Sequence, residues 1–112
     1  MNIKNEYSLK KAQSQWNDLL EIYKKIIPQL IIEIPPVPQL TELCYIGDSL
    51  FSFKGKTIFS RFAVKERAQE TEYVIKYFNS LGIFGERVPD DVCFEGSGET
   101  MVWNNKILVG YG

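Results

Sequence analysis

The first regular pattern in the chain is an apolar stripe at helical spacing across residues 8–27. Apolar residues that recur three or four positions apart lie on one face of an α-helix. Ser8 is a suitable N-cap, and Pro28 cannot continue the last turn. The pattern therefore predicts one amphipathic helix. Its apolar positions are Ala12, Trp16, Leu19, Leu20, Tyr23, Ile26 and Ile27.

Short β-rich runs follow the first helix. We predict strands at LIIEI (residues 30–34) and LCYI (residues 43–46), and the sequence PPVP between them forms an extended connector that cannot continue a ladder. LFSF (residues 50–53) and KTIFS (residues 56–60) flank a short turn that contains Gly55. These two runs predict a β-hairpin.

The second half of the chain shows the same kinds of element. A helix is predicted over residues 66–81, with Gly82 as its C-terminal cap and an apolar face at Val74, Tyr77, Phe78 and Leu81. A weak strand is predicted at residues 83–88. ETMVW and KILVG then form a second hairpin across Asn104 and Asn105, which tolerate the left-handed backbone of a tight turn.

The order helix, strand, acidic loop and hairpin thus occurs at residues 8–60 and again at residues 66–110, which predicts two structural repeats in a single α/β domain of residues 1–112. If a rotation relates the repeats, the acidic loop with Glu42, Gly47 and Asp48 and the one with Glu95 and Glu99 face the same axis. Two repeats alone leave open sheet edges, so we expect a homo-oligomer or a complementary chain.

Composition and charge exclude several classes of function. The 112 residues carry a net charge of −1, which leaves no basic field for nucleic acid, and no apolar run approaches the roughly 20 residues that span a bilayer. The start MNIKNEYSLKK lacks the apolar core of a secretion signal, so we expect a cytoplasmic protein. The chain has no histidine, and Cys44 and Cys93 are expected to be reduced, buried thiols. No metal or cofactor is predicted.

The stretch FEGSGET (residues 94–100) has two interpretations. Glu95 and Glu99 are a carboxylate pair in a glycine-rich turn, and such a pair matches the fork of N–H donors on a guanidinium. Alternatively, the stretch is only a tight turn in which a carboxylate caps backbone N–H groups. Arg67 likewise has a plain interpretation as a solvated charge at a helix start that pairs with Glu66 or Glu70.

Several segments, taken in order, resemble a known family. AQSQWNDLLEIY, PPVPQLTELCYIGD, SRFAVKERAQETEYVIKYFNSLG, FEGSGET and ILVGYG are similar to the N-terminal half of the amidinotransferase and dimethylarginine dimethylaminohydrolase-like proteins, which modify guanidino groups. The resemblance runs from about residue 11 to the end. It implies a partial pentein, an α/β propeller, with about two ββαβ-type repeats of five.

The resemblance also implies roles for individual residues. Glu95 matches the acid that binds the guanidinium and completes the catalytic group. Arg67 matches an arginine that orients the substrate carboxylate, with Glu70 as the acid of the same motif. Glu42, Asp48 and Glu99 match acidic or amide positions that bind the substrate.

In the family, a cysteine thiolate attacks the guanidinium carbon and a histidine carries protons. Both belong to later repeats, and neither Cys44 nor Cys93 aligns with the nucleophile. We therefore expect a truncated or split enzyme of guanidino compounds that is inactive alone. The alternatives are a non-catalytic binding or interaction protein that associates with itself through open sheet edges, and a structural remnant that is stable only as an oligomer.

Overall fold

The computed structural model describes residues 8–28 and 31–110, and the chain divides into two compact units at Ile34 and Pro35. The first unit contains α1 (Leu9–Ile26). Its N-cap is Ser8, whose hydroxyl accepts a hydrogen bond from the backbone N–H of Lys11 at 3.2 Å. The predicted first helix is confirmed. None of its residues is buried, and Trp16 and Leu19 on the apolar stripe are half exposed.

The strand predicted at residues 30–34 is wrong for the part that the structure describes. Ile31, Ile32, Glu33 and Ile34 belong to no helix or strand, and Leu30 lies outside the described residues. A β-rich run becomes a strand only when a neighbouring strand pairs with it. The prolines that follow at positions 35 and 36 also lack the N–H donors that a ladder needs.

The second unit begins with two 3-10 turns, at Thr41–Cys44 and Ile46–Ser49, where a strand was predicted at residues 43–46. That prediction is wrong because the buried positions recur at a spacing of three and not of two. Leu40 and Leu43 are both buried, whereas Tyr45 is exposed. The backbone N–H of Leu43 donates to the carbonyl of Leu40 at 3.2 Å, which is the bonding of a 3-10 turn.

The first hairpin is confirmed. β1 (Leu50–Phe53) pairs antiparallel with β2 (Lys56–Phe59), and Phe53 faces Lys56 beside the turn. Lys54 and Gly55 both have positive φ angles, of 51° and 75°, as a two-residue hairpin turn requires. Phe51 and Phe59 are buried and form part of the core of the second unit.

The second helix is also confirmed. A short 3-10 turn at Lys65–Arg67 leads into α2 (Ala68–Ser80), and Gly82 ends the helix with a φ of +76°. Val74 is fully buried, and the Phe78 ring meets the Phe59 ring edge-on at 6.3 Å between centroids. Leu81 departs from the predicted apolar face, since it lies beyond the last turn and is exposed.

The strand predicted at residues 83–88 is shorter than expected. β3 (Glu86–Arg87) is two residues long and pairs parallel with β2, which gives a three-stranded sheet in the order β1-β2-β3. Gly85 allows this pairing, because a Cβ at that position would lie 2.7 Å from the carbonyl oxygen of Thr57. The backbone approaches so closely here that a side chain does not fit.

The second hairpin is confirmed as a separate two-stranded sheet. β4 (Thr100–Trp103) pairs antiparallel with β5 (Lys106–Val109), and Asn104 and Asn105 have φ angles of 46° and 64°. Every residue of the two strands except Thr100 is exposed. A two-stranded ribbon with exposed apolar side chains on both faces is marginally stable by itself.

The order of helix, acidic 3-10 turn and hairpin recurs in the two halves, while the strand between helix and turn occurs only in the second half of the described residues. The fold is mixed α/β with one sheet of three strands and one of two, and neither sheet is closed in the part that the structure describes. No helix in the described ranges is long and apolar enough to cross a membrane.

The two cysteines are not buried, so the prediction of buried thiols is wrong. Cys44 is exposed on the 3-10 turn Thr41–Cys44, and Cys93 is exposed just before FEGSGET. Both positions lie in connecting segments that run along the surface and not in the strands where burial was expected.

The two acidic turns of the second unit pack against each other. The turn Gly96–Gly98 lies on the turn Ile46–Ser49, and the hydroxyl of Ser97 donates to the carbonyl of Leu50 at 3.2 Å. Gly96 has a φ of +54°, and a Cβ there would lie 2.8 Å or less from three backbone carbonyl oxygens, those of Gly47, Asp48 and Leu50. Only glycine satisfies both constraints.

We therefore expect Gly96→Ala to lower the free energy of unfolding by about 2–4 kcal/mol, through the left-handed backbone and the overpacking together. Gly47→Ala is the matched control, because a Cβ at Gly47 has no atom within 4 Å among the described residues. Urea unfolding followed by tryptophan fluorescence measures both. Equal losses in the two variants would show that the contact between the turns contributes little.

Candidate functional site

The candidate site lies in the second unit, where FEGSGET meets the end of the first hairpin. Arg61, which follows β2, and Phe94 exchange two backbone hydrogen bonds of 2.8 and 2.9 Å. This isolated bridge fixes the start of FEGSGET beside the three-stranded sheet. The Thr100 hydroxyl donates to the Gly96 carbonyl at 2.8 Å and holds the other end of the turn.

The centre of the site is the guanidinium of Arg67, which lies between two carboxylates. Its Nη1 donates to Asp48 Oδ2 at 3.2 Å, and its Nε donates to Glu70 Oε2 at 3.1 Å. The side chain of Arg67 is 13% exposed and that of Glu70 only 2%. The Phe62 ring covers one face of the guanidinium, with its centroid 3.9 Å from Arg67 Cζ. We call Asp48, Arg67 and Glu70 the Arg67 cluster.

The electrostatics of the cluster keep Arg67 charged. Burial lowers the pKa of Arg67, but the hydrogen bonds to Glu70 and Asp48 outweigh that effect and hold the pKa above its ordinary value. Arg67 Nη2 is buried and has no hydrogen-bond partner among the described residues. A buried N–H group without an acceptor is costly, and Nη2 is a donor of the cluster that no described acceptor satisfies.

The structure brings some of the predicted site residues together. Asp48 and Arg67 are in contact, although 19 positions separate them in the sequence. Asp48 also lies against FEGSGET, since a Cβ at Gly98 would be 3.0 Å from Asp48 Oδ1. Glu42 lies on the preceding 3-10 turn, is exposed, and makes no ion pair with a described residue.

Glu95 and Glu99 differ in what they do within the turn. Glu99 is exposed, and its Oε2 accepts a hydrogen bond from the backbone N–H of Glu95 at 3.2 Å. The capping interpretation of the turn is thus correct for Glu99. Glu95 is a half-buried residue, and its carboxylate makes no ion pair within residues 8–28 and 31–110. Glu99 makes no ion pair there either, and Glu95 is the acid whose carboxylate the turn does not use.

Sequence reasoning missed two features of the site. The predicted pairing of Arg67 with Glu70 is confirmed, but the interpretation of Arg67 as a solvated charge is wrong, because only 13% of its side chain is exposed. Glu70 and Val74 follow Arg67 by three and seven positions, so helical spacing already placed this arginine and this acid on the buried face. The second omission is Phe62, which lies in a polar loop whose pattern gives no signal of burial.

A second ion pair nearby provides a contrast. Arg87 donates from both terminal nitrogens to Glu72, at 2.6 and 2.8 Å, but both side chains are more than half exposed. The hydrogen bond from Arg87 lowers the pKa of Glu72. Because folding lowers the pKa of Glu72, the pair stabilises the fold at pH values above the pKa that Glu72 has in the unfolded chain. This stabilisation is lost as the pH falls through the pKa that Glu72 has in the folded chain.

No cluster suited to a metal ion occurs among the described residues.

We expect Arg67→Met to lower the free energy of unfolding by about 3–5 kcal/mol, because it leaves the buried Glu70 carboxylate without a counter-charge. Arg87→Met is the matched control and should cost only about 0–1 kcal/mol, since its pair is exposed. Chemical denaturation at neutral pH measures both.

The double variant Arg67→Met with Glu70→Leu separates charge from packing. It should recover a large part of the loss, because it removes the stranded carboxylate as well as the arginine. A double variant no more stable than Arg67→Met alone would contradict the electrostatic explanation.

Comparison with known proteins supports the resemblance noted in the sequence. No family model matches the chain. Over all 112 residues it is 25% identical to N(G),N(G)-dimethylarginine dimethylaminohydrolase of Mycobacterium tuberculosis, of which it covers 36%. Over 107 residues, 91% of the chain, it is 26% identical to the bifunctional arginine dihydrolase/ornithine cyclodeaminase AgrE of Nostoc, of which it covers 14%.

A solved structure gives the same result. The N-terminal domain of the cyanobacterial arginine dihydrolase ArgZ, bound to its substrate, superimposes with a TM-score of 0.78 at 25% identity, covering 94% of this chain and 39% of that domain. The chain thus spans little more than a third of these relatives, or less. It is similar to the N-terminal portion of the dimethylarginine dimethylaminohydrolases and arginine dihydrolases, which are pentein-fold enzymes.

Proposed function

We propose that this chain provides the substrate-binding part of an active site for guanidino compounds of the arginine type. In this proposal the nucleophilic cysteine and the histidine belong to another polypeptide segment, so that the 112 residues give no turnover alone. The observation that carries the proposal is the packing of the Asp48 turn against FEGSGET, next to the largely covered Arg67 side chain.

The acidic side of the site suits a guanidinium. Glu95 is half-buried and has no ion pair among the described residues, and Asp48 Oδ1 lies at the same turn contact while Oδ2 holds Arg67. A guanidinium is a planar cation with N–H groups in a fork, and carboxylates bind it through paired hydrogen bonds. We assign Glu95 to the guanidinium and Asp48 to its support. Glu99 contributes through the turn, because it fixes the backbone of Glu95.

The basic side of the site suits the other end of an arginine-like molecule. Arg67 Nη2 is the donor that the cluster leaves without an acceptor among the described residues. A substrate carboxylate would supply that acceptor, and the charge-assisted hydrogen bond would be stronger than one to a neutral group. Glu42 is exposed and makes no ion pair with a described residue, so we assign it to the rim of the site.

The groups that would break the guanidinium carbon–nitrogen bond are not found among the proposed binding residues. Cleavage of a guanidinium carbon–nitrogen bond needs a nucleophile and a group that carries protons. The chain has no histidine, and Cys44 and Cys93 are exposed in surface segments. M. tuberculosis dimethylarginine dimethylaminohydrolase and cyanobacterial arginine dihydrolase ArgZ are much longer than the part that this chain matches. We infer that the nucleophile and the histidine come from the part of the fold that has no counterpart here.

We expect calorimetric titration with L-arginine to give a saturable signal, and Glu95→Gln to weaken it about tenfold, since a neutral amide loses the charge-assisted hydrogen bonds. Glu66→Gln is the control, because Glu66 is an exposed acid at the start of the helix. The same samples should release no citrulline or ammonia. Release by the purified chain, or unchanged arginine binding by Glu95→Gln, would refute the assignment.

A second candidate function rests on a different observation. The second hairpin exposes apolar side chains on both faces, among them Met101 at 60% and Trp103 at 59% exposed. In water such a ribbon favours association, and its strands have open edges that another chain can extend. The chain would then be a non-catalytic interaction protein that associates with itself or with a complementary chain through this hairpin.

Size-exclusion chromatography with light scattering tests this candidate. We expect a dimer or larger species, and we expect Trp103→Ser with Met101→Lys to shift it toward the monomer, because the change removes apolar contact area and adds charge to the strand. Lys54→Ser, in the turn of the first hairpin, is the control. A folded monomer at high concentration in the unchanged protein would contradict self-association.

A further inference from the structure

The two hairpins of the second unit repeat one structure. β1 begins at residue 50 and β4 at residue 100, and β1 pairs with β2 in the same four-residue register in which β4 pairs with β5. The closing bonds also correspond, since the backbone N–H of Ser60 donates to the Ser49 carbonyl at 3.0 Å and that of Gly110 donates to the Glu99 carbonyl at 2.9 Å. Each residue of the first hairpin therefore has a counterpart in the second.

The first hairpin is covered where the second is open. α2 lies on one face of the first hairpin, because the Phe78 ring meets the Phe59 ring, and β3 pairs parallel with β2 at Ile58 and Phe59. As far as the structure describes the chain, β5 pairs only with β4, and every residue of these two strands except Thr100 is exposed. The second hairpin thus corresponds to the first without its helix and its third strand.

The repeat identifies the face of the second hairpin that a helix would cover. Side chains alternate between the faces along a strand, and residues directly opposite each other share a face. Thr57 and Phe59 are buried on the side of α2, and their counterparts are Ile107 and Val109. Val102 is opposite Ile107 and lies on the same side. We call these three exposed residues, Val102, Ile107 and Val109, the open face.

The first unit contains a helix of the kind that the open face lacks. No residue of α1 is buried, and Leu19 and Tyr23 on its apolar stripe are half exposed. Val74 and Phe78 have the same spacing of four positions in α2, where Val74 is fully buried and Phe78 contacts the first hairpin. The β-rich run at residues 31–32 comes after α1 as β3 comes after α2. α1 and this run therefore match α2 and β3 in order and in apolar spacing.

We propose that α1 and residues 31–32 of one copy of this chain dock on the second hairpin of another copy. The helix covers the open face, and the run extends β5 as a parallel strand at Leu108 and Val109, in the way that β3 extends β2. The proposal rests on the second candidate function, self-association through this hairpin, and names the segment that the hairpin binds. It is independent of the guanidino site.

The contact is large enough for a stable association when two copies exchange their segments. A half-exposed aliphatic or aromatic side chain still has roughly 80 Å² to bury, so the stripe of α1 and the open face together bury about 600 Å². A reciprocal exchange contains two such contacts, about 1,200 Å² in all, which reaches the range of stable interfaces. It also covers both apolar surfaces in a closed assembly, as the symmetry of most oligomers favours.

Cross-linking between two different single-cysteine chains tests the docking. Cys44 and Cys93 are first changed to serine in both chains, at positions where the native side chains are exposed. One chain then carries Tyr23→Cys and a size tag, and the other carries Val109→Cys. These positions are the counterparts of the two rings that meet 6.3 Å apart between α2 and the first hairpin. We expect a short bis-maleimide to join the tagged chain to the untagged one.

Each cysteine has a matched control. Ile22→Cys replaces Tyr23→Cys, because Ile22 is as exposed as Tyr23, at 51% against 48%, but points about 100° away around the helix. Leu108→Cys replaces Val109→Cys, because Leu108 is also exposed but lies on the opposite face of the hairpin. We expect each control pair to cross-link at least fivefold less. Circular dichroism checks that all four chains keep the same helix content.

The outcomes separate this proposal from self-association in general. Light scattering that shows only a monomer would overturn both. A dimer in which a control pair cross-links as well as Tyr23→Cys with Val109→Cys would overturn the docking of α1 and leave self-association standing. Val109→Cys chains that cross-link to one another and not to Tyr23→Cys would do the same, because the hairpin would then bind a second hairpin.

Discussion

The arrangement of the second unit depends on one cation that the protein largely covers. Arg67 stands at the start of α2, and its hydrogen bonds to Asp48 and Glu70 connect the helix to the turn that precedes the first hairpin. Taking a guanidinium out of water is expensive, and it is tolerated only where opposite charges and an aromatic face surround it. Asp48, Glu70 and Phe62 provide these contacts, so the position of the helix relative to the turn is specified by charge as well as by packing.

The same residues serve the fold and the candidate site. Asp48 uses Oδ2 to hold Arg67, and its Oδ1 lies beside Gly98 of the facing turn. Gly96 has a left-handed backbone and leaves no room for a side chain, which lets the turn with Glu95 lie directly on the turn with Asp48. The question whether FEGSGET is a structural turn or part of a site therefore has no exclusive answer. The turn is required for packing, and that packing sets where the Glu95 carboxylate lies.

The elements that the sequence predicted well are those with a local cause. The helices follow from apolar spacing and from the caps at Ser8 and Gly82, and the second hairpin follows from the turn at Asn104 and Asn105. The errors have non-local causes. Residues 31–34 have β-rich composition but no strand partner among the described residues. The buried residues Leu40 and Leu43 lie at the start of and within a 3-10 turn, which a strand-like composition does not reveal.

In the candidate site, too, contacts between residues close in the sequence were predictable and contacts between distant residues were not. Arg67 and Glu70 are three positions apart in the sequence, so helical spacing alone could predict their contact. Arg67 and Asp48 are 19 positions apart, and their contact depends on the completed fold. The resemblance to guanidino-modifying enzymes named both Arg67 and Asp48 without that contact. Neither the helical spacing nor the resemblance predicted that the Phe62 ring covers Arg67, because a single aromatic residue in a polar loop belongs to no periodic apolar pattern.

The chemistry of an arginine-like molecule explains why binding and bond making can reside in different parts of such a fold. The molecule has a cation at one end and a carboxylate at the other, so a binding surface needs an acid and a base at a fixed separation. In the proposed site Glu95 and Arg67 supply these two types, Glu95 beside the turn that packs against the Asp48 turn and Arg67 through its ion pair with Asp48. A nucleophile must approach the guanidinium carbon from outside the plane that the carboxylates occupy, so it has to come from a different element. Rigid binding groups on one segment and reacting groups on another are therefore compatible with a single active site, provided that the two segments pack together.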